Sequence, residues 1–280
     1  MGSRGLRPAW SARAAIVALV MALGAAGCAT AQPGRSPSSA SDDADGAGGA
    51  RSLALEARLP RGFSSTAPTL LPLGSFYFNP ASGRREVVRG SLAKTAVLIG
   101  DSQSEPADSW VRKGLERAGY TVYFAGRGGT GFSVGTAAAH DYADALRLGD
   151  WFIPYGTPAL VVLQGGGNDA TRGAADAAII AGVRSLLAEV RASYPQSTTV
   201  VVGTLAKSAA DGGGRRTQVD TLLGRTSAEL GLPFIACGDW ISRYGLAGEL
   251  ADGVHLNPAG KARLAPIFAQ VLAAKGLALG

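Results

Sequence analysis

The chain has 280 residues, 46% hydrophobic and 17% charged, with a formal net charge of +6, two cysteines and two histidines. That length allows one large domain or two small ones, and so few cysteines exclude a disulfide scaffold. No HExxH and no paired CxxC offers a zinc site, so no metal is expected. Arg4, Arg7 and Arg13 fall in the first 27 residues with no acid among them, so the remainder carries +3 (6 − 3). That excess is unclustered and lacks a basic stripe interleaved with aromatics, which argues against nucleic acid as a partner.

After this basic start, residues 14–26 form an uncharged apolar run, too short to span a bilayer and suited to a signal peptide. The run ends Ala25-Ala26-Gly27-Cys28, which resembles the lipobox of bacterial lipoproteins, where the cysteine becomes the lipidated first residue. Ala29-Thr30-Ala31 offers ordinary secretory cleavage as the alternative. On either reading residues 1–28 direct export, and lipidation at Cys28 would make the membrane a partner through a lipid anchor. Cys237 then has no intramolecular partner and reads as a core thiol at the end of Pro233-Phe234-Ile235-Ala236. Residues 29–52 are rich in Ser, Gly, Ala, Asp and Pro without apolar periodicity, and read as a disordered tether. Residues 53–94 are the least legible part. There Ser75-Phe76-Tyr77-Phe78 and Glu86-Val87-Val88 flank Asn79-Pro80-Ala81-Ser82-Gly83 and predict a β-ribbon appended to the main domain, residues 95–280.

From Thr95 onward the pattern is regular. Strand-like apolar runs occur at residues 95–99, 121–125, 159–164, 198–202 and 233–237, with helical patterns between them. Trp110, Val111, Leu115 and Ala118 form one apolar stripe, with Pro106 suited to that helix's first turn. Ile179, Ile180, Val183, Leu186, Leu187, Val190 and Tyr194 form a second stripe; Leu264, Ile267, Phe268, Val271 and Leu272 form a third, opened by Asn257 as N-cap and Pro258. Five strands alternating with helices predict a three-layer α/β domain with a five-stranded parallel sheet. The flavodoxin-like order 2-1-3-4-5 would put the switch point between the first and third strands.

Each polar or glycine-rich cluster then falls at the carboxyl edge of a strand. The first strand ends in Gly100-Asp101-Ser102, the second in Gly126-Arg127-Gly128-Gly129-Thr130-Gly131, and the third in Gln164-Gly165-Gly166-Gly167-Asn168-Asp169. A loop after the fifth strand carries Asp252-Gly253-Val254-His255. Asp101 and Ser102 alone could be helix caps. Beside an Asp–His pair at this edge, a strand-end serine fits acyl transfer, with aspartate orienting the imidazole that deprotonates the serine. Asn168 either shapes a turn or donates its amide to a developing oxyanion, and Gly131 allows close backbone approach to the same oxygen. His140 lies in a stretch read as helical and reads as structural. The G-x-S-x-G match at 131–135 lies too far past its strand, and the G-x-G-x-x-G match at 126–131 follows the second strand without the expected acid, so neither carries weight.

The four blocks, in this order, resemble those of the SGNH (GDSL) hydrolase family from Thr95 to the C-terminus. The resemblance implies Ser102 as nucleophile, His255 as base and Asp252 as its orienting acid. It also implies an oxyanion hole from the Ser102 N–H, the Gly131 N–H (with Gly128 as the alternative) and the Asn168 amide, and no cofactor. Two positions depart from the family: Gln103 stands where leucine is frequent, and Gly126 where an asparagine commonly braces the site. The expected activity is an exported serine esterase acting on short acyl or acetyl esters of small molecules or cell-envelope glycans, or on lipid esters. O-acyl transfer to a cell-surface glycan and a non-catalytic surface binding module are the alternatives.

Overall fold

The two faces of the central strands decide the architecture, since both are apolar and both must be covered. In a computed structural model describing residues 67–279, an antiparallel ribbon, β1 (Phe76–Asn79) and β2 (Arg84–Val87), precedes five parallel strands. These are β3 (Thr95–Gly100), β4 (Thr121–Gly126), β5 (Leu160–Gln164), β6 (Thr198–Val202) and β7 (Phe234–Ile235). The helices are α1 (Trp110–Arg117), α2 (Tyr142–Leu148), α3 (Gly167–Thr171), α4 (Asp176–Ser193), α5 (Gly214–Glu229), α6 (Trp240–Arg243) and α7 (Pro258–Ala274). The sheet order is β4-β3-β5-β6-β7, the expected 2-1-3-4-5 among the parallel strands.

Alternate residues of each strand supply opposite layers. Ala96, Leu98, Val162 and Val202 face Trp110, Leu115, Trp240 and Phe268, from α1, α6 and α7. Val97, Ile99, Val161 and Leu163 face Tyr142, Ile179, Val183 and Leu223, from α2, α4 and α5. The helix α1 lies close against α7, because Gly114 has no side chain; a Cβ there would come within 2.5 Å of Phe268. Cys237 is fully buried in the first layer, and burial pushes its thiol pKa well up.

Registry sets the height of the loops. Gly100 pairs with Gly126 and Ile99 with Leu163, so β3, β4 and β5 end level with one another. A side chain at Gly126 would place its Cβ 2.0 Å from the Gly100 carbonyl, so this backbone leaves no room for the asparagine that is common there. Three local expectations differ. The helix α1 starts at Trp110, not near Pro106, because the Ser109 hydroxyl caps it by accepting the Arg112 N–H (3.2 Å). His140 precedes α2, which is capped by Asp141, and both its backbone N–H and Nδ1 bond Asp150 Oδ2 (2.7 and 2.8 Å). The fifth strand shrinks to Phe234–Ile235, at the sheet edge.

The ribbon is tied to the body by a buried polar network. Glu86, fully buried, accepts from Asn79 Nδ2 (3.0 Å), Ser82 Oγ (2.8 Å) and Ser193 Oγ (2.5 Å). Arg84 donates to the Glu189 carboxylate, to the Glu189 carbonyl (2.7 Å) and to Ser193 Oγ (2.6 Å), clamping the ribbon on the end of α4. Val87 exchanges backbone bonds with Ile153 and Tyr155 (3.0 and 2.9 Å), and Arg85 lies over the rings of Phe76 and Phe152. The export signal at residues 1–28 with Cys28, the tether at 29–52 and residues 53–66 lie outside the described residues.

Arg84 is buried, whereas Glu189 is 22% exposed and has Arg147 at 4.0 Å as a second partner, so the cost of losing Arg84 is that of its charge-assisted hydrogen bonds. Arg84→Met is therefore expected to destabilise the protein by about 2 kcal/mol in urea unfolding; a change within ~0.5 kcal/mol would show that the ribbon is not clamped by this residue.

Candidate active site

The turn after β3 is built around one buried carboxyl. Asp101 is 1% exposed; its Oδ1 accepts the Gln103 N–H (2.9 Å), and its carbonyl accepts the Ser104 and Glu105 N–H groups (2.9 Å each). These bonds coil the chain tightly around Ser102, whose own N–H meets no acceptor among the described residues. The Gln164 amide is satisfied when its nitrogen faces Ser104 Oγ (2.5 Å) and Asp101 Oδ1 (3.2 Å) and its oxygen accepts the Gly165 N–H (3.1 Å). Burial pushes the Asp101 pKa up to about 6, against the Gln103 N–H, the Arg216 charge and Gln164, which all favour the anion.

A second carboxylate organises the opposite loop. Asp252 Oδ1 accepts the backbone N–H groups of both Val254 and His255 (2.7 Å each), and Oδ2 lies 2.8 Å from His255 Nδ1. The bond from His255, then the two backbone N–H groups, pull the Asp252 pKa down to about 2. An ionised carboxylate can only accept, so Nδ1 carries the proton and Nε2 presents a lone pair. That lone pair lies 2.7 Å from Ser102 Oγ, so the hydroxyl donates to it. The structure thus brings Ser102, His255 and Asp252 into one chain of hydrogen bonds, although Asp252 is 55% exposed.

Asn168 reaches the same place from the start of α3. Gly166 precedes it at φ +95°, where a Cβ would also stand 2.5 Å from Thr204 Oγ1, so glycine is required at this bend. Asn168 Nδ2 donates to the Thr130 carbonyl (2.8 Å); its 3.5 Å approach to Asp101 Oδ2 is at the limit of a hydrogen bond. One amide hydrogen is thus held by Thr130, the other makes only the long contact with Asp101, and Asn168 lines the same pocket as Ser102.

The glycine block behaves differently from the sequence expectation. The Gly131 N–H donates to the Val134 carbonyl (2.8 Å), because the chain turns back on itself there, and Gly131 does not line the pocket at Ser102. Gly128, the alternative, does lie against Ser102: a Cβ there would be 3.4 Å from the serine Cβ. Its N–H, however, donates to Glu105 Oε2 (2.8 Å). The remaining serine of this region, Ser133, donates its hydroxyl to buried Asp169 (2.7 Å), which disposes of the G-x-S-x-G match.

Ser102, His255, Asn168, Thr171, Val254 and Arg216 line a small pocket of about 140 Å³. Arg216 is not legible as a site residue, since nothing in Gly214-Arg215-Arg216-Thr217 sets it apart from the arginine beside it. Its guanidinium donates to the Leu205 carbonyl (3.1 and 3.2 Å) and the Gly167 carbonyl (3.2 Å), and it enters because Gly167 has no side chain. No cluster of three or more acidic, histidine or cysteine side chains able to hold a metal occurs among the described residues.

The family model described as GDSL-like lipase/acylhydrolase matches residues 92–263, more than half of the chain. No curated protein matches it. Among solved structures the chain is similar to TesA, at 25% identity over 64% of this chain and 97% of that one, with a TM-score of 0.47. It is also similar to an active-site mutant of a family two carbohydrate esterase from Clostridium thermocellum (15% identity, 69% and 68% covered, TM-score 0.50), a likeness of fold. A carbohydrate acetylesterase from Sinorhizobium meliloti, Est24, is similar at 19% identity over 65% and 99%, with a TM-score of 0.46.

The raised Asp101 pKa has a consequence for stability. The folded protein holds this proton more tightly than the unfolded chain, so the contribution is complete below about pH 4 and is lost as pH rises towards 6, by up to about 3 kcal/mol. Asp101→Asn, which keeps an oxygen for the Gln103 N–H, is expected to flatten that part of the melting-temperature profile. Identical slopes in the two proteins between pH 4 and 6 would contradict it.

Proposed function

The chain belongs to the GDSL-like lipase/acylhydrolase family and is an ester-hydrolysing enzyme, and from that premise we propose an exported serine esterase of short acyl groups. The observation that carries the proposal is the bonded chain from Ser102 Oγ through His255 to Asp252. Ser102 Oγ attacks the ester carbonyl carbon as its proton passes to His255 Nε2, and Asp252 stabilises the resulting imidazolium. The tetrahedral oxyanion is received by the Ser102 N–H and by the Asn168 amide hydrogen that Thr130 does not hold, which exchanges its long contact with Asp101 for the oxyanion. Collapse breaks the bond to the alcohol, which leaves with the proton from His255. Water then gives a proton to the same imidazole, attacks the acyl carbon and releases the acid and free Ser102.

The size of the pocket supports acetyl and similarly short acyl groups over long chains. Export rests on the basic start, the apolar run at 14–26 and Cys28, with Cys28 as the lipidated first residue holding the enzyme at the membrane. Acetylated glycans of the cell envelope are the substrate class that location favours.

On p-nitrophenyl acetate, butyrate and octanoate, kcat/KM is expected to fall with chain length. Ser102→Ala and His255→Ala should abolish turnover while the protein stays folded, and Asn168→Ala should lower kcat by about 100- to 1000-fold. Serine-independent turnover, or a preference for octanoate, would refute the mechanism or the substrate class respectively. For the anchor, Cys28→Ser should abolish incorporation of labelled palmitate in a bacterial host; equal labelling of the wild type and the variant would remove Cys28 from the account.

A further inference from the structure

Asp252 cannot by itself hold His255 against Ser102. It lies three residues away in the same loop, and it bonds the backbone N–H groups of that loop as well as the imidazole. It therefore fixes the ring relative to the loop, while the loop's position relative to β3 needs another tie. The remaining backbone bonds of the loop run from Ala251 N–H to the His255 carbonyl (2.8 Å) and from Asn257 N–H to Glu249 (2.8 Å), all local. Ala251, Asp252 and Gly253 are exposed.

Leu256, directly after His255, is buried in the core and anchors that side of the loop; on the side before His255 the tie is supplied by Gln103. It is 6% exposed, follows Ser102 directly, and has its own N–H on Asp101 Oδ1. Its Nε2 donates to the Val254 carbonyl (2.9 Å), one residue before His255, and its Oε1 accepts the indole N–H of Trp110 (3.1 Å). The amide orientation follows from chemistry, since an indole N–H can only donate and a carbonyl can only accept. Trp110 is itself 1% exposed and packed between Trp240 and Phe268, so the amide is anchored in the core on one side and grips the histidine loop on the other. A leucine here could fill the space but would leave the Trp110 N–H and the Val254 carbonyl unpaired.

We propose that Gln103 is a positioning residue that sets the Ser102–His255 distance by bracing the Val254 carbonyl against the core; the inference rests on the reading of Ser102 and His255 given above. A displacement of the base of about 1 Å costs on the order of 100-fold in rate.

The test uses the full chain with p-nitrophenyl acetate. Gln103→Leu is expected to lower kcat by roughly 10- to 100-fold with KM within about threefold of the wild type, and to lower stability through the unpaired Trp110 N–H. The double variant Gln103→Leu with Trp110→Phe removes both partners, so it should regain stability over Gln103→Leu without regaining kcat. A kcat within threefold of wild type in Gln103→Leu, or a kcat that returns together with stability in the double variant, would overturn the brace. A loss confined to KM would also overturn it, because it would assign Gln103 to substrate binding. Absence of serine-dependent turnover in the wild type would instead sink the esterase reading, and the inference with it.

Discussion

Because β3 pairs with β4 on one side and β5 on the other, the loops that leave the three strands meet at one height above the sheet. The chain reverses its direction of sheet-building at β3, so no helix crosses over that edge and the cleft stays open. Everything polar at the site depends on this. Ser102 follows the central strand, the Thr130 carbonyl comes from the loop after β4, and Asn168 comes from the helix start after β5; the amide of Asn168 bridges towards both neighbours. The apolar layers below hold the three strand ends level, which a register slip of one residue would destroy by exchanging the side chains that face the two helix layers.

Two aspartates of the site are driven in opposite directions by their surroundings. Asp101 is buried beneath the serine turn and its pKa rises to about 6, whereas Asp252 is largely in solvent and its pKa falls to about 2. Burial of the first is offset in part by the Gln103 N–H, the Gln164 amide and the charge of Arg216, and the residue serves as an internal acceptor for the turn. The second stays ionised, which dictates the tautomer of His255 and leaves Nε2 free to accept from Ser102. One residue type thus does structural work on one side of Ser102 and electrostatic work on the other.

Local patterns were legible where the relevant partners are close in sequence or repeat along one element. The apolar strands, the stripes of α4 and α7, and the pairing of Asp252 with His255 three residues on could all be read directly. The turn of the glycine block could not, because the Gly131 N–H chooses the Val134 carbonyl in a loop whose path only folding defines. Pro106 suggested an early helix start, but the side-chain cap formed by Ser109 outweighed it. Nothing local in the ribbon marks Arg84 and Glu86 for burial, which comes from the end of α4, about a hundred positions later.

What the amino-acid order determined by itself was therefore the set of elements, the fold class, and the identity of the residues gathered at the strand ends. Periodicity and local hydrogen bonding act over a few residues and are written into the chain. Only the tertiary structure decided which donors at that edge remain unpaired, that Arg216 reaches the pocket from α5, and that Gln103 spans the gap to the loop of His255. Those outcomes turn on competition among groups far apart in sequence for the same hydrogen-bonding partners. Such competition is resolved by distances of a few tenths of an ångström that no linear pattern encodes.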